Sequence, residues 1–147
     1  MSNVSVNRHV EFEAAHMLFG YNGACRNLHG HSYALEVTVE GPQDDNFGFV
    51  LDFKILDSIL KEVIPDHYFI SNKQLSEDCP ERQIVKILKN NNMAVMEYDF
   101  EPSAENMVKN FAKEIQEQLY KHNISADVVE VKLWETTNSY AIWKKEK

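Results

Sequence analysis

The sequence predicts an α+β fold, an antiparallel four-stranded sheet with helices laid on one face. Two observations carry this. Stretches near both ends of the chain alternate apolar and polar residues with the period of a strand, and the segments 53–63 and 104–119 repeat with the period of a helix. No internal repeat, low-complexity tract or linker divides the 147 residues, so residues 1–147 are expected to form one domain with its own core.

In Val4–His16 the even positions are Val4, Val6, Arg8, Val10, Phe12, Ala14 and His16, against polar or small odd positions. In His29–Glu40 the odd positions His29, His31, Tyr33, Leu35, Val37 and Val39 carry the same pattern. The two stretches read as a β-hairpin with a long loop, each burying one face. The turn residues of GPQDDNFG, 41–48, end the second strand. A helix follows over Phe53–Val63, with Phe53, Leu56, Leu60 and Val63 on one stripe. In the middle segment, 64–100, Glu81–Asn90 reads as a short helix and Met93–Tyr98 as a strand. Pro102 and Ser103 open the clearest helix. Ser103 is a good N-cap, and Ala104, Met107, Val108, Phe111, Ile115 and Leu119 form the apolar stripe. Strands over Asp127–Glu135 and Ser139–Trp143 close the domain.

Hydrophobic content of 44% with 26% charged residues is that of an ordinary globular protein. No stretch approaches the roughly 18 consecutive apolar residues of a membrane helix. The opening MSNVSVNRHVEFEAAH lacks the layout of a signal peptide, so a cytoplasmic location is expected. In that reducing compartment Cys25 and Cys79 are expected to be free thiols. A net charge of −8 argues against nucleic acid as a partner and means that any phosphorylated ligand must meet a local cationic site.

The histidines carry the chemistry. His29 and His31 are two apart on a strand and so point the same way. His16 ends the partner strand on the face of Val10, Phe12 and Ala14, and antiparallel pairing brings the three imidazoles together. A single half-buried histidine is more simply explained by hydrogen bonds to its ring. Three on matching faces of paired strands point to a metal, and imidazole suits Zn²⁺, with a fourth position open for water or substrate. His9, on the polar face, and His122, after a helix end, read as ordinary surface residues.

Cys25 lies four residues before His29, tethered near the metal, where a cation stabilises thiolate and makes a usable base. Cys79 has no such neighbour. Asp66 and His67 follow Pro65, an ordinary turn by composition. Glu135 falls on the apolar face of its strand, an odd place for an unpaired charge.

These residues are arranged in a known pattern. CRNLHGH (Cys25–His31), preceded by FEAAH (Phe12–His16), resembles the zinc and base motif of the 6-pyruvoyl-tetrahydropterin synthase family, which includes bacterial 6-carboxy-tetrahydropterin synthases of queuosine biosynthesis. GFVLDF (48–53), PDH (65–67), PSAEN (102–106) and LWETT (133–137) match its later motifs in order. After PDH the chain departs from the family's usual leucine and asparagine with YFISN, and residues 73–100 form a longer middle segment than compact members have.

The resemblance implies that His16, His29 and His31 hold zinc, that Cys25 is the catalytic thiol, and that Asp66 with His67 is the proton-relay pair. It implies that Glu135 anchors the pterin and that Ser103 and Glu105 make further pterin contacts. A carboxylate can accept the adjacent amino and ring N–H groups of a pterin together. Glu105 is equally explained as a first-turn acid favoured by the helix dipole. The resemblance further implies the tunnelling fold, with subunits joined through sheet edges into a barrel, commonly a hexamer with sites between subunits. The implied substrate is 7,8-dihydroneopterin triphosphate, with Arg26 and Lys54 as candidate cations for its phosphates. Three residues between Cys25 and HGH match the carboxy-forming branch, which releases acetaldehyde, more than the pyruvoyl branch. A zinc hydrolase is the alternative that an open three-histidine site permits, although the sequence places no glutamate near the histidines to activate water. A catalytically silent pterin-binding subunit is a second alternative.

Overall fold

The hairpin forms as β1 (Asn3–His16) and β2 (His29–Pro42) in the computed structural model, which describes residues 2–147. The strands pair antiparallel from Asn3 opposite Pro42 to His16 opposite His29. This register stacks Phe12 on Tyr33 at 4.9 Å between ring centroids. Asp44 closes the turn after β2 by accepting the backbone N–H groups of Asn46, Phe47, Gly48 and Phe49. Gly48 there takes φ of 76°, a conformation that a side chain disfavours.

The first helix, α1 (Phe53–Val63), is capped by Asp52, whose carboxylate accepts the Lys54 N–H at 2.8 Å. It buries Leu56, Ile59, Leu60 and Val63, whereas Phe53, expected on that stripe, is 47% exposed. The middle segment forms the expected helix and strand and adds a strand that the sequence pattern does not announce. β3 (Tyr68–Asn72) runs parallel to β1, pairing Tyr68 with Ala14 and Phe69 with Ala15. α2 (Pro80–Asn90) has its proline in the first turn, where no N–H is needed. β4 (Val95–Tyr98) lies parallel to β3 and starts two residues later than expected, because the Met93 N–H donates back to Leu88 O at the end of α2. α3 (Ala104–Lys121) is capped by Ser103 and buries Ala104, Met107, Val108, Phe111, Ile115 and Leu119 as its period predicts. β5 (Asp127–Thr136) pairs antiparallel with β2, and β6 (Ser139–Lys144) with β5.

The expected four-stranded antiparallel sheet is therefore corrected. Among the described residues the sheet is mixed and six-stranded, in the order β4–β3–β1–β2–β5–β6. The four strands expected to build the sheet are its antiparallel part, and β3, which the pattern did not announce, adds a parallel edge together with β4, read as a strand over Met93–Tyr98. A strand buried on both faces shows no alternation, and Phe69, Ile70, Ser71 and Asn72 are all buried.

The placement of the helices on one face is corrected as well. α1 and α3 cover the face carrying Phe12, Tyr33, Leu35, Val131 and Leu133. α2 covers the other face at the parallel edge, where Ile84, Val85 and Leu88 pack on Ala15, Phe69 and Val95. The loop end of β1 is thus supported from both faces. Among the described residues no helix is long and apolar enough to cross a membrane.

Candidate active site

The paired ends of β1 and β2 bring three imidazoles together, as the strand period predicts. Ring centroids lie 4.6 Å apart for His16 and His29, 5.2 Å for His16 and His31, and 4.9 Å for His29 and His31. One ring nitrogen from each lies within 4.8 Å of the others.

The rings are oriented from outside. His16 Nδ1 faces the Pro102 carbonyl at 2.8 Å, and His29 Nδ1 faces the Asn27 carbonyl at 2.7 Å. A carbonyl only accepts, so each of these Nδ1 atoms carries a proton and turns the ring's Nε2 toward the cluster. His29 Nε2 and His31 Nε2 are buried without a hydrogen-bond partner. Burial pushes the His16 pKa down to about 4, which leaves its ring neutral at pH 7. Burial also lowers that of His31, against the opposing pull of Glu135. Three converging imidazoles, two of them held by carbonyls at their outer nitrogens, are the donor set that a divalent metal requires. The residues present fit zinc.

Glu135 joins the cluster, with Oε2 3.5 Å from His31 Nε2. The expectation that no glutamate lies near the histidines is therefore overturned, because a residue far away in sequence arrives on β5, next to β2 in the sheet. Glu105 and Glu135 line one recess of about 320 Å³ with Ser139 and Ala141. Glu105 is exposed in the first turn of α3. Ser103 accepts the Asn106 N–H at 3.2 Å as the cap, which leaves its hydroxyl proton free to donate.

Cys25 is exposed on a 3-10 turn, Ala24–Arg26, that leads into β2. Its carbonyl accepts the Leu18 N–H at 2.9 Å, tying the loop across its base. Asp66 and His67 lie on the outer side of β1, away from β2. Asp66 Oδ1 accepts the Glu13 N–H at 3.0 Å and faces His67 Nδ1 at 2.9 Å. Asp66 and His67 form the turn read from the sequence, closed by the Tyr68 N–H donating to the Pro65 carbonyl at 3.2 Å, with His67 at φ of 66° and the hydrogen bonds to Asp66 holding it in place. His31 and His67 line a common cavity of about 470 Å³ together with Glu13, Ser32, Phe69 and Met93.

Sequence reasoning missed two contributors. The Pro102 carbonyl orients His16 across 86 positions of chain, and nothing local announces it. Tyr33, fully buried, sets its ring 5.3 Å from that of His31 with its hydroxyl unpartnered.

Residues 5–146 match the family model described as 6-pyruvoyl tetrahydropterin synthase. The chain is 33% identical over 141 residues to the 6-carboxy-5,6,7,8-tetrahydropterin synthase of Haemophilus influenzae, covering 92% of this chain and 94% of that one. It is 33% identical over 160 residues to the enzyme of the same name from Aquifex aeolicus, covering 96% and 98%. Among solved structures, 6-pyruvoyl tetrahydropterin synthase from Plasmodium vivax superposes with a TM-score of 0.72 at 18% identity, covering 100% of each chain. That from Caenorhabditis elegans gives 0.69 at 21% identity, covering 99% of this chain and 98% of the other.

Proposed function

The chain belongs to the 6-pyruvoyl tetrahydropterin synthase family, and we propose that it is a zinc-dependent 6-carboxy-5,6,7,8-tetrahydropterin synthase. With the consumption of one water, it takes 7,8-dihydroneopterin triphosphate to 6-carboxytetrahydropterin, acetaldehyde and triphosphate, a step of queuosine and 7-deazapurine biosynthesis. The observation that carries this is the three-imidazole cluster with the Glu135 carboxylate at its rim, 3.5 Å from His31. The names of the curated relatives and the three-residue spacing between Cys25 and His29 support the carboxy-forming branch.

His16, His29 and His31 hold the metal. Zinc at that position supplies Lewis acidity toward the side-chain hydroxyls of the substrate. Glu135 accepts the adjacent N–H groups of the pterin, and Glu105 and Ser103 complete that recess. Cys25 removes a proton from the substrate side chain. His67, held in orientation by Asp66, moves the second proton. The open outer edge of β1 and the edge strand β6 support assembly through sheet edges into a homohexameric ring, and the enzyme acts in the cytoplasm.

The test is turnover of dihydroneopterin triphosphate by purified protein of known zinc content, with an aldehyde trap present. 6-Carboxytetrahydropterin with stoichiometric trapped acetaldehyde is the expected result. A pyruvoyl product without acetaldehyde moves the chain to the other branch of the family. Hydrolysis of unrelated substrates with no pterin turnover makes the site a hydrolase with Glu135 as its base. Pterin binding without turnover makes the chain a silent subunit.

A further inference from the structure

Behind the histidines lies a buried polar chain that the reaction does not use. Ser71, Asn72, Glu81 and Arg82 are all buried, with Ser71 and Glu81 at 0% exposure. Glu81, in the first turn of α2, accepts the Ser71 hydroxyl at 2.7 Å and the Asn72 backbone N–H at 2.9 Å through one oxygen. The Asn72 side chain then donates to Glu101 Oε1 at 3.1 Å, while its own oxygen accepts the Gln74 N–H. The Glu101 carbonyl accepts from Ser103 N and from the Asn106 side chain. Glu101 leads directly into Pro102, whose carbonyl receives the His16 Nδ1–H.

Two features make this chain more than packing. Proline fixes its own φ, and the Ser103 N–H donates to the Glu101 carbonyl at 2.8 Å across it, so holding Glu101 holds the turn that carries the Pro102 carbonyl. The arrangement is also costly. Glu81 Oε1 and Glu101 Oε2 are buried with no partner, and apolar residues in such places are commonly neutral or stabilising.

We propose that Asn72, Glu101 and Glu81 are positioning residues for His16: the middle segment, through α2, holds the Pro102 carbonyl where it orients the first metal ligand. This rests on the reading of His16, His29 and His31 as the metal site. It gives residues 73–100 a function, since α2 braces from behind a site on the opposite face of the sheet.

Co²⁺ alone is the probe, titrated into the metal-free full-length protein and read by its visible absorption. Asn72→Ala is expected to weaken Co²⁺ binding about tenfold, the lower end of the 10–100-fold that loss of an outer partner costs a metal site. Glu101→Gln keeps an oxygen for Asn72 and is expected to retain wild-type affinity. Val85→Ala, on the same helix but outside the chain of hydrogen bonds, measures what lost stability alone does. An unchanged Co²⁺ affinity in Asn72→Ala overturns the proposal, as does an equal weakening in Val85→Ala at matched loss of stability. Should Asn72→Ala not fold, Glu101→Ala removes the same bond and is held to the same outcomes. A wild-type protein that takes up no Co²⁺ fails the metal reading itself, whereas wild-type binding with unaffected variants fails this inference alone.

Discussion

At the scale of single residues, geometry divides the site into groups that hold and groups that react. Cys25 is exposed on its turn and takes no part in the imidazole cluster. Cys25→Ala is therefore expected to keep stoichiometric zinc while slowing turnover by about 10²–10⁴, the usual worth of a positioned proton-transfer group. Loss of zinc in that variant would make Cys25 a ligand, and normal turnover would remove it from the mechanism. Glu135→Gln exchanges an acceptor for a donor facing the pterin N–H groups. Hydrogen bonds to a charged group contribute about 1.5–3 kcal/mol, so pterin affinity should fall about tenfold or more. Titration with sepiapterin checks this, and unchanged affinity sinks the anchoring role. The histidines and Glu135 were legible in the sequence because strand alternation assigns a face to every side chain. The nearness of Glu135 to His31 was not, because it follows from pairing β5 with β2, and β2 lies about 95 residues back along the chain, a separation that no local period encodes.

At the scale of elements, what could be read was what repeats locally. β1, β2, α1, α3, β5 and β6 each bury one face and therefore alternate or stripe. β3 buries Ile70 in the main core on one side and Phe69 under α2 on the other, so YFISN carries no pattern. Its partner β1 is contacted at only two positions, which leaves little trace of the pairing. The first turn of α2 carries a testable electrostatic load. Burial pushes the Glu81 carboxyl above its ordinary range, and the charge of Glu101 adds to this against the N–H of Asn72, the hydroxyl of Ser71 and the guanidinium of Arg82. The folded chain then holds that proton more tightly than the unfolded chain does. Native stability is lost as pH rises from the ordinary carboxyl value of 4.5 through the raised one. Glu81→Gln keeps an oxygen for Ser71 and Asn72 and removes the charge that Glu101 opposes. The variant is expected to be at least as stable as the wild type at pH 7, with the difference shrinking toward pH 4.5. Urea unfolding across that range decides it. A loss above about 1 kcal/mol at pH 7, the net worth of one hydrogen bond, would mean that the ionised carboxylate is needed.

At the scale of the whole molecule, the sheet leaves strand edges uncovered among the described residues. β3 pairs with the outer side of β1 only at Ala14 and Ala15, so Asn3–Phe12 have no strand partner there among the described residues. β6 ends the sheet on the other side. Two open edges on one sheet invite pairing between copies, and closure into a ring satisfies both. The relay pair sits at the same open edge. Asp66 and His67 hang on the outer side of β1 through Glu13, and the His67 ring is 76% exposed while the three histidines face inward. A second copy pairing along β1 would bring its own site toward that ring. With the hexamer that the family resemblance implies, the assembly is expected to have about six times the 17.1 kDa mass of one chain, with His67 serving the neighbour's site. Subunit mixing tests both parts. His29→Ala and His67→Ala are each expected to be inactive alone. Dissociated and reassembled together, they should regain activity, because some sites would then combine an intact metal cluster with an intact relay. Sedimentation of the mixture checks that rings have reformed. Reformed rings without recovered activity would place His67 in the site of its own chain, and a monomer that turns over substrate would remove the ring from the mechanism.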